Sequence, residues 1–183
     1  HGSMPEKGIN AVYIAARAVA RLEEFDFNVA RHAVLGAPTL NVGTIQGGLN
    51  INSVPDRALI GLDIRTIPAQ NHGRIREQLS SYLGPDVALK TLLDARSVWT
   101  DPGNPWVGEV VRVAQEVERV DDTIRAAPYF TDASALMVEL ESPPTVIIGP
   151  GELELAHQTD EYCLVSRIER ATKINSQLIR SWC

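Results

Sequence analysis

The chain has 183 residues, is 44% hydrophobic and 22% charged, and carries a formal net charge of −6. That size and composition suit one medium domain or two small ones with packed cores, and exclude a disordered chain. No run of 18 apolar residues occurs, no signal-peptide pattern opens the chain, and the acidic balance without a Lys/Arg stripe argues against nucleic-acid or anionic-membrane partners. Cys163 and Cys183 are far apart in sequence and form neither a disulfide framework nor a thiolate metal motif. They leave a reducing cytoplasm as the default location.

Apolar residues at Ile9, Val12, Ala16, Val19 and Leu22 keep helical spacing behind Pro5, which predicts a helix over about residues 5–24. Residues 39–45 alternate as a half-buried strand does and end at Gly47-Gly48. Residues 58–65 alternate again, with Leu62 and Ile64 on one face and Asp63 and Arg65 on the other. A second helix is predicted over 70–83, with Ile75, Leu79 and Leu83 on one side and Gly84-Pro85 as its stop. Residues 87–93 read as a third strand. Helix, strand, strand, helix, strand is a ferredoxin-like α+β sandwich lacking its first strand.

Residues 101–105 mark a boundary rich in turn formers, where Asn104 is a good N-cap and Pro105 a good first-turn residue. An apolar stripe follows through Val107, Val110, Val111, Ala114 and Val117. Residues 144–149 read as a short strand buried on both faces, and Ser166 with Glu169 as a capping box opening the last helix. The fold class is therefore α/β, with one region over 1–95 and a second, incomplete one over 96–183.

Among the histidines, His32 and His72 read as solvated. Ser3 near His1 is not expected to form a nucleophile pair. Glu23-Glu24 reads as a solvated helix end and Asp121-Asp122 as a solvated turn. Trp99, Trp106 and Trp182 are too scattered for a stacking platform. His157 stands apart, since it follows an apolar segment and the Gly149-Pro150-Gly151 turn and precedes Asp160 and Glu161. A loop after a buried α/β strand is where sites gather, and a neutral imidazole there can ligate a metal. A capping or hydrogen-bonded loop histidine fits the same surroundings. A catalytic zinc needs about three protein ligands, and no partners for His157 show in this chain.

Six segments in order and spacing resemble one family. They are His1–Val12 (HGSMPEKGINAV), Asn41–Gly48 (NVGTIQGG), Asn52–Asp56 (NSVPD), Asp63–Pro68 (DIRTIP), Thr131–Ala133 (TDA) and Gly149–Glu161 (GPGELELAHQTDE). Together they resemble the zinc amidohydrolases that include acetylornithine deacetylase, succinyl-diaminopimelate desuccinylase, aminoacylase and the glutamate-releasing carboxypeptidases. The resemblance implies a ferredoxin-like lid (dimerisation) domain over 1–95, followed by the C-terminal part of a zinc-peptidase-like α/β catalytic domain. The N-terminal half, which in the family carries most metal ligands and the general base, is absent. The chain, which begins with His1, is then expected to start inside a longer protein and to be inactive alone. The competing expectation is that His-Gly-Ser is a cloning remnant ahead of Met4.

By the same resemblance, His157 is a zinc ligand and His1 a catalytic residue reaching into a partner subunit's site to stabilise the oxyanion. Asn52, Arg65 and Thr131 bind substrate, Arg65 through the substrate carboxylate, and Glu161 supports the metal ligand. The cofactor is one or two zinc ions, with cobalt or manganese possible. The partners are an N-acyl amino acid and a second copy joined through the lid. The implied activity is acetylornithine deacetylase or succinyl-diaminopimelate desuccinylase. The alternatives are a dipeptidase or aminoacylase of the family and a dimerising lid module without chemistry. A lid without its first strand is also expected to expose a sheet edge that favours association.

Overall fold

The structure is a computed structural model and describes residues 1–118, 126–156 and 158–182. The chain divides into two compact units, His1–Ser97 and Val98–Cys183.

The first unit is built on a hairpin. Strand β1 (Thr39–Gly47) pairs antiparallel with β2 (Ala58–Arg65), from Thr39 opposite Arg65 to Gly47 opposite Ala58. The register slips between Val42 and Thr44, so Gly43 is the extra residue of a bulge. Gly61 lies across from it, where a Cβ would stand 2.4 Å from Thr44 Oγ1, and only glycine fits.

Helix α1 (Ala11–Glu23) begins later than its apolar spacing predicts. Pro5 starts only a 3-10 turn over Pro5–Lys7, and the N-cap is Asn10, whose side chain accepts from the Val12 and Tyr13 amides. Helix α2 (His72–Leu83) is capped by Asn71 and closed at Gly84. Ala18, Leu22, Phe27, Ile75, Leu79 and Leu83 form the core, against which Leu40, Val42, Ile60, Leu62 and Ile64 of the hairpin pack. Arg21 ties the two helices together. It lies 4.7 Å from the Tyr82 ring centroid and donates to the Tyr82 carbonyl, while the Tyr82 hydroxyl donates to the Arg21 carbonyl at 2.8 Å.

Residues 87–93 form no ladder strand, and the sheet has two strands among the described residues. The apolar pattern there is satisfied otherwise, since Val87 packs on the core without a strand neighbour. The following segment is held by its end. His72, at the start of α2, is not a solvated surface group: its Nδ1 lies 2.5 Å from Asp94 Oδ1 and its Nε2 3.0 Å from Thr66 Oγ1. Arg76, one turn along α2, donates to Asp94 Oδ2 at 2.8 Å. His32 departs from a solvated reading too. It is half-buried, and its Nδ1 accepts from the Val34 and Leu35 amides at 3.2 and 3.1 Å, closing a tight loop.

In the second unit, α3 (Pro105–Val117) starts at Asn104, which accepts from the Trp106 amide. A short helix, α4 (Ala133–Glu139), follows Thr131 and Asp132, and α5 (Val165–Trp182) ends the unit. Val110, Val113 and Ala114 of α3 pack on Ile174 and Leu178 of α5. Helix α5 begins before Ser166, so that serine lies inside the helix and not at its cap. Residues 144–149 make no strand ladder, and Ile147 and Ile148 are exposed. They are anchored by Val146, which packs on this core, and by Thr100, whose Oγ1 donates to the Thr145 carbonyl and accepts from its amide. Trp106 and Trp182, remote in sequence, meet edge to face at 5.4 Å. Asp121-Asp122, His157 and Cys183 lie outside the described residues. Among those described, no helix is long and apolar enough to cross a membrane.

Two predictions follow from this packing. Leu79 is 3% exposed, so Leu79→Ala removes packed methyl groups and is expected to cost the first unit about 2–4 kcal/mol in urea unfolding. The hydrogen bond from His72, then that from Arg76, holds the Asp94 carboxyl below its ordinary value of 3.8. A depressed carboxyl stabilises the fold above that ordinary value and loses its contribution as pH falls through the lowered one. Asp94→Asn is therefore expected to be less stable than the unchanged chain near neutrality, by under about 1 kcal/mol because these groups are partly exposed, with the gap closing in acid. Unfolding curves across the acid range check it.

Candidate functional site

The N-terminal residues are stitched to the loop between β1 and β2. The Gly2 amide donates to the Asn52 carbonyl at 2.7 Å, and the Ala11 amide to that of Pro55 at 2.9 Å. Gly8 rests on Val54. A Cβ on Gly2 would stand 3.0 Å from the Asn52 carbonyl carbon and oxygen, so glycine permits this approach. His1 and Asn52 are 51 positions apart in sequence, yet they share the tip of the hairpin and both are exposed. His1 Nδ1 lies 2.8 Å from Ser3 Oγ and accepts from the Ser3 amide. The two side chains therefore do meet. The contact fixes the ring through Nδ1, and Nε2 has no hydrogen-bond partner among the described residues. Leu49 and Ile51, beside Asn52, are almost wholly exposed.

Arg65 sits at the opposite end of β2. Its NH2 donates to Asp63 Oδ2 at 2.7 Å, along the strand face that alternation assigns to both. This pair is about half exposed and uses one of the five guanidinium N–H donors. The structure thus joins His1 with Asn52 and holds Arg65 apart from them. Eight residues of β2 at roughly 3.4 Å each put the two ends of the strand about 24 Å apart.

In the second unit Thr131 is half-buried before α4, and its carbonyl accepts from the Ser134 amide at 3.1 Å. Glu161 is exposed, and its amide donates to the Gln158 carbonyl. His157 lies outside the described residues. Among those described, no group of three His, Cys, Asp or Glu side chains could hold a metal ion. By themselves they do not make up a zinc site.

Sequence reading missed the Thr66–His72–Asp94–Arg76 cluster. The spacing of His72 and Arg76, four apart on one helix face, was a signal for it, but Asp94 stands 22 residues from His72.

Residues 1–88 match the model of the peptidase dimerisation domain. Along its whole length the chain is similar to acetylornithine deacetylase of Myxococcus xanthus, 30% identical over 196 residues, and to that of Pasteurella multocida, 29% identical over 196. It spans about half the length of these curated relatives, 50% and 49%. Among solved structures, the aminopeptidase PepT of Bacillus cereus shares the fold at a TM-score of 0.72 and 20% identity, with 98% of this chain and 47% of that one covered. A tripeptidase of Staphylococcus aureus does so at 0.68 and 18%, with 99% and 48% covered. Motifs, hairpin and matched region agree: the chain carries the peptidase dimerisation domain over residues 1–88 and is a homologue, along its whole length, of acetylornithine deacetylases.

Proposed function

We propose that this chain supplies the lid and the C-terminal part of the catalytic domain of a zinc amidohydrolase that cleaves N-acyl amino acids, of the acetylornithine deacetylase type. The observation that carries this reading is the likeness to acetylornithine deacetylases from the first residue to the last.

In this reading each residue has a task that its chemistry suits. The free edge of His1 donates a hydrogen bond to the oxyanion that forms as water adds to the amide, a contribution of about 3–4 kcal/mol for a well-placed donor. Asn52, beside it, donates from its side-chain amide to the same oxygen or to the acyl group. Arg65 pairs its remaining donors with the substrate carboxylate, where a planar fork gives two parallel hydrogen bonds that lysine cannot. Thr131 contacts the carboxylate end of the substrate. His157 offers one ring nitrogen to a zinc whose other ligands lie in the rest of the parent protein, and Glu161 orients that ring. Bound there, zinc supplies a water that ionises near neutral pH.

The hairpin supports a division of this work between two subunits. An amino-acid-sized substrate cannot span about 24 Å, so His1 and Asn52 of one copy serve a different substrate molecule from Arg65 of that copy. A dimer formed through the lid brings one copy's hairpin tip to the other's carboxylate-binding end. The exposed Leu49 and Ile51 at the tip give that approach apolar surface to bury.

The test uses the longer parent protein. It is expected to hydrolyse N-acetylornithine, to lose activity with His157→Ala, and to fall about 10²–10³-fold in kcat with His1→Ala. His1→Ala and Arg65→Ala proteins, each nearly inactive, are expected to regain about a quarter of the original activity when unfolded and refolded together, because half the dimers then hold one intact site. No turnover of N-acetylornithine by the unchanged parent, or full activity of His157→Ala, would overturn the reading. A mixture as inactive as its components would overturn the shared site.

A further inference from the structure

The turn after Arg65 is held with unusual care for a surface segment. Thr66 follows Arg65 directly, and its hydroxyl meets His72 Nε2 at 3.0 Å. Asp94 meets Nδ1 on the other side of the ring, at 2.5 Å, and Arg76 holds the second carboxylate oxygen at 2.8 Å. Ile67, next along, is 3% exposed, and its amide donates to the Gln70 side chain at 3.0 Å while its carbonyl accepts from the Gln70 amide. Hydroxyl, imidazole and carboxylate thus stand in line, with a guanidinium behind them.

We propose that Thr66, His72 and Asp94 form a hydrogen-bonded relay that fixes the end of β2, which makes His72 a positioning residue for the carboxylate-binding Arg65. This rests on the function proposed above. The physical argument is one of proton placement. A carboxylate only accepts, so Nδ1 carries the ring proton, and the neutral ring turns a bare Nε2 toward the Thr66 hydroxyl, which donates to it. In the imidazolium form Nε2–H donates to the same hydroxyl oxygen, which rotates to accept. The Thr66 contact therefore persists in both charge states of the ring. Arg76 spares Asp94 from turning to solvent. Thr66 is one peptide bond from Arg65, and a guanidinium that must meet a planar carboxylate is sensitive to small shifts of its backbone.

Two measurements test this. In the 15N-labelled 183-residue chain with the ring neutral, the His72 ring is expected to carry its proton on Nδ1 with Nε2 bare, and Asp94→Ala to move that proton to Nε2. A neutral ring protonated on Nε2 in the unchanged chain overturns the relay. In the parent enzyme, Thr66→Val keeps the shape and removes the hydroxyl. It is expected to raise KM for N-acetylornithine on the order of tenfold with kcat nearly unchanged, the pattern of lost binding alone, and Thr66→Ser to restore it. His72→Ala is expected to match Thr66→Val. A KM raised by Arg65→Ala but untouched by Thr66→Val overturns the positioning role and leaves the proposed function standing. A KM untouched by Arg65→Ala overturns the carboxylate grip itself and the positioning role with it, whichever nitrogen holds the proton.

Discussion

A two-stranded antiparallel ribbon has two ends and cannot fold them onto each other. That constraint organises the first unit. Apolar residues of β1 and β2 face α1 and α2, so the ribbon is held flat against a core built from Leu22, Phe27, Ile75, Leu79 and Leu83. The bulge at Gly43 increases its twist without shortening it. Whatever chemistry the tip and the base carry is thereby separated by the length of the strands. The tip holds His1 and Asn52 through backbone contacts, and the base holds Arg65 through Asp63.

The two ends are secured by different means, and the difference follows from their sequence. At the tip the loop of residues 48–57 is pinned by an incoming segment, and close backbone approach does the pinning. Glycine at position 2 is the requirement there. At the base, side chains hold the turn: Gln70 on Ile67, His72 on Thr66, and Asp94 with Arg76 on His72. A backbone-pinned loop can be covered by a partner without losing its anchors. A base fixed by side-chain hydrogen bonds can hold one guanidinium in a defined place.

Much of the first unit was legible in the sequence because its signals are local. Asn71 and Gly84 bracket α2, and alternation through Ala58–Arg65 sets both the limits of β2 and the faces of Asp63 and Arg65. Apolar spacing starts helix α1 too early because Pro5 looks like a first-turn residue, while Asn10, the residue that caps the helix, lies behind Gly8. The segments 87–93 and 144–149 carry strand-like composition, yet a strand exists only where another offers its hydrogen bonds, and composition does not reveal that. His72 and His32 read as solvated because a histidine beside Gly or Arg usually is. Their actual partners, Asp94 for one and two backbone amides for the other, are set by tertiary proximity or by a tight loop. The candidate site residues rest on resemblance. Periodicity and spacing gave no reason to prefer His1, Asn52 or Arg65 over other exposed polar groups.

The meeting of His1 with Asn52 is what the fold adds to that resemblance. Fifty-one positions separate them, and no local rule joins them. They come together because the hairpin returns the chain to the start of α1, where the Pro55 carbonyl receives the Ala11 amide and the Asn52 carbonyl receives that of Gly2. The His1 imidazole and the Asn52 carboxamide are both exposed, on segments that a backbone hydrogen bond ties together, and this unit's own core does not use them. Donors of that kind stabilise negative charge only where water is excluded, and the exposed tip of the hairpin excludes none. Leu49 and Ile51 beside them are almost wholly exposed, apolar surface of the kind that an interface buries.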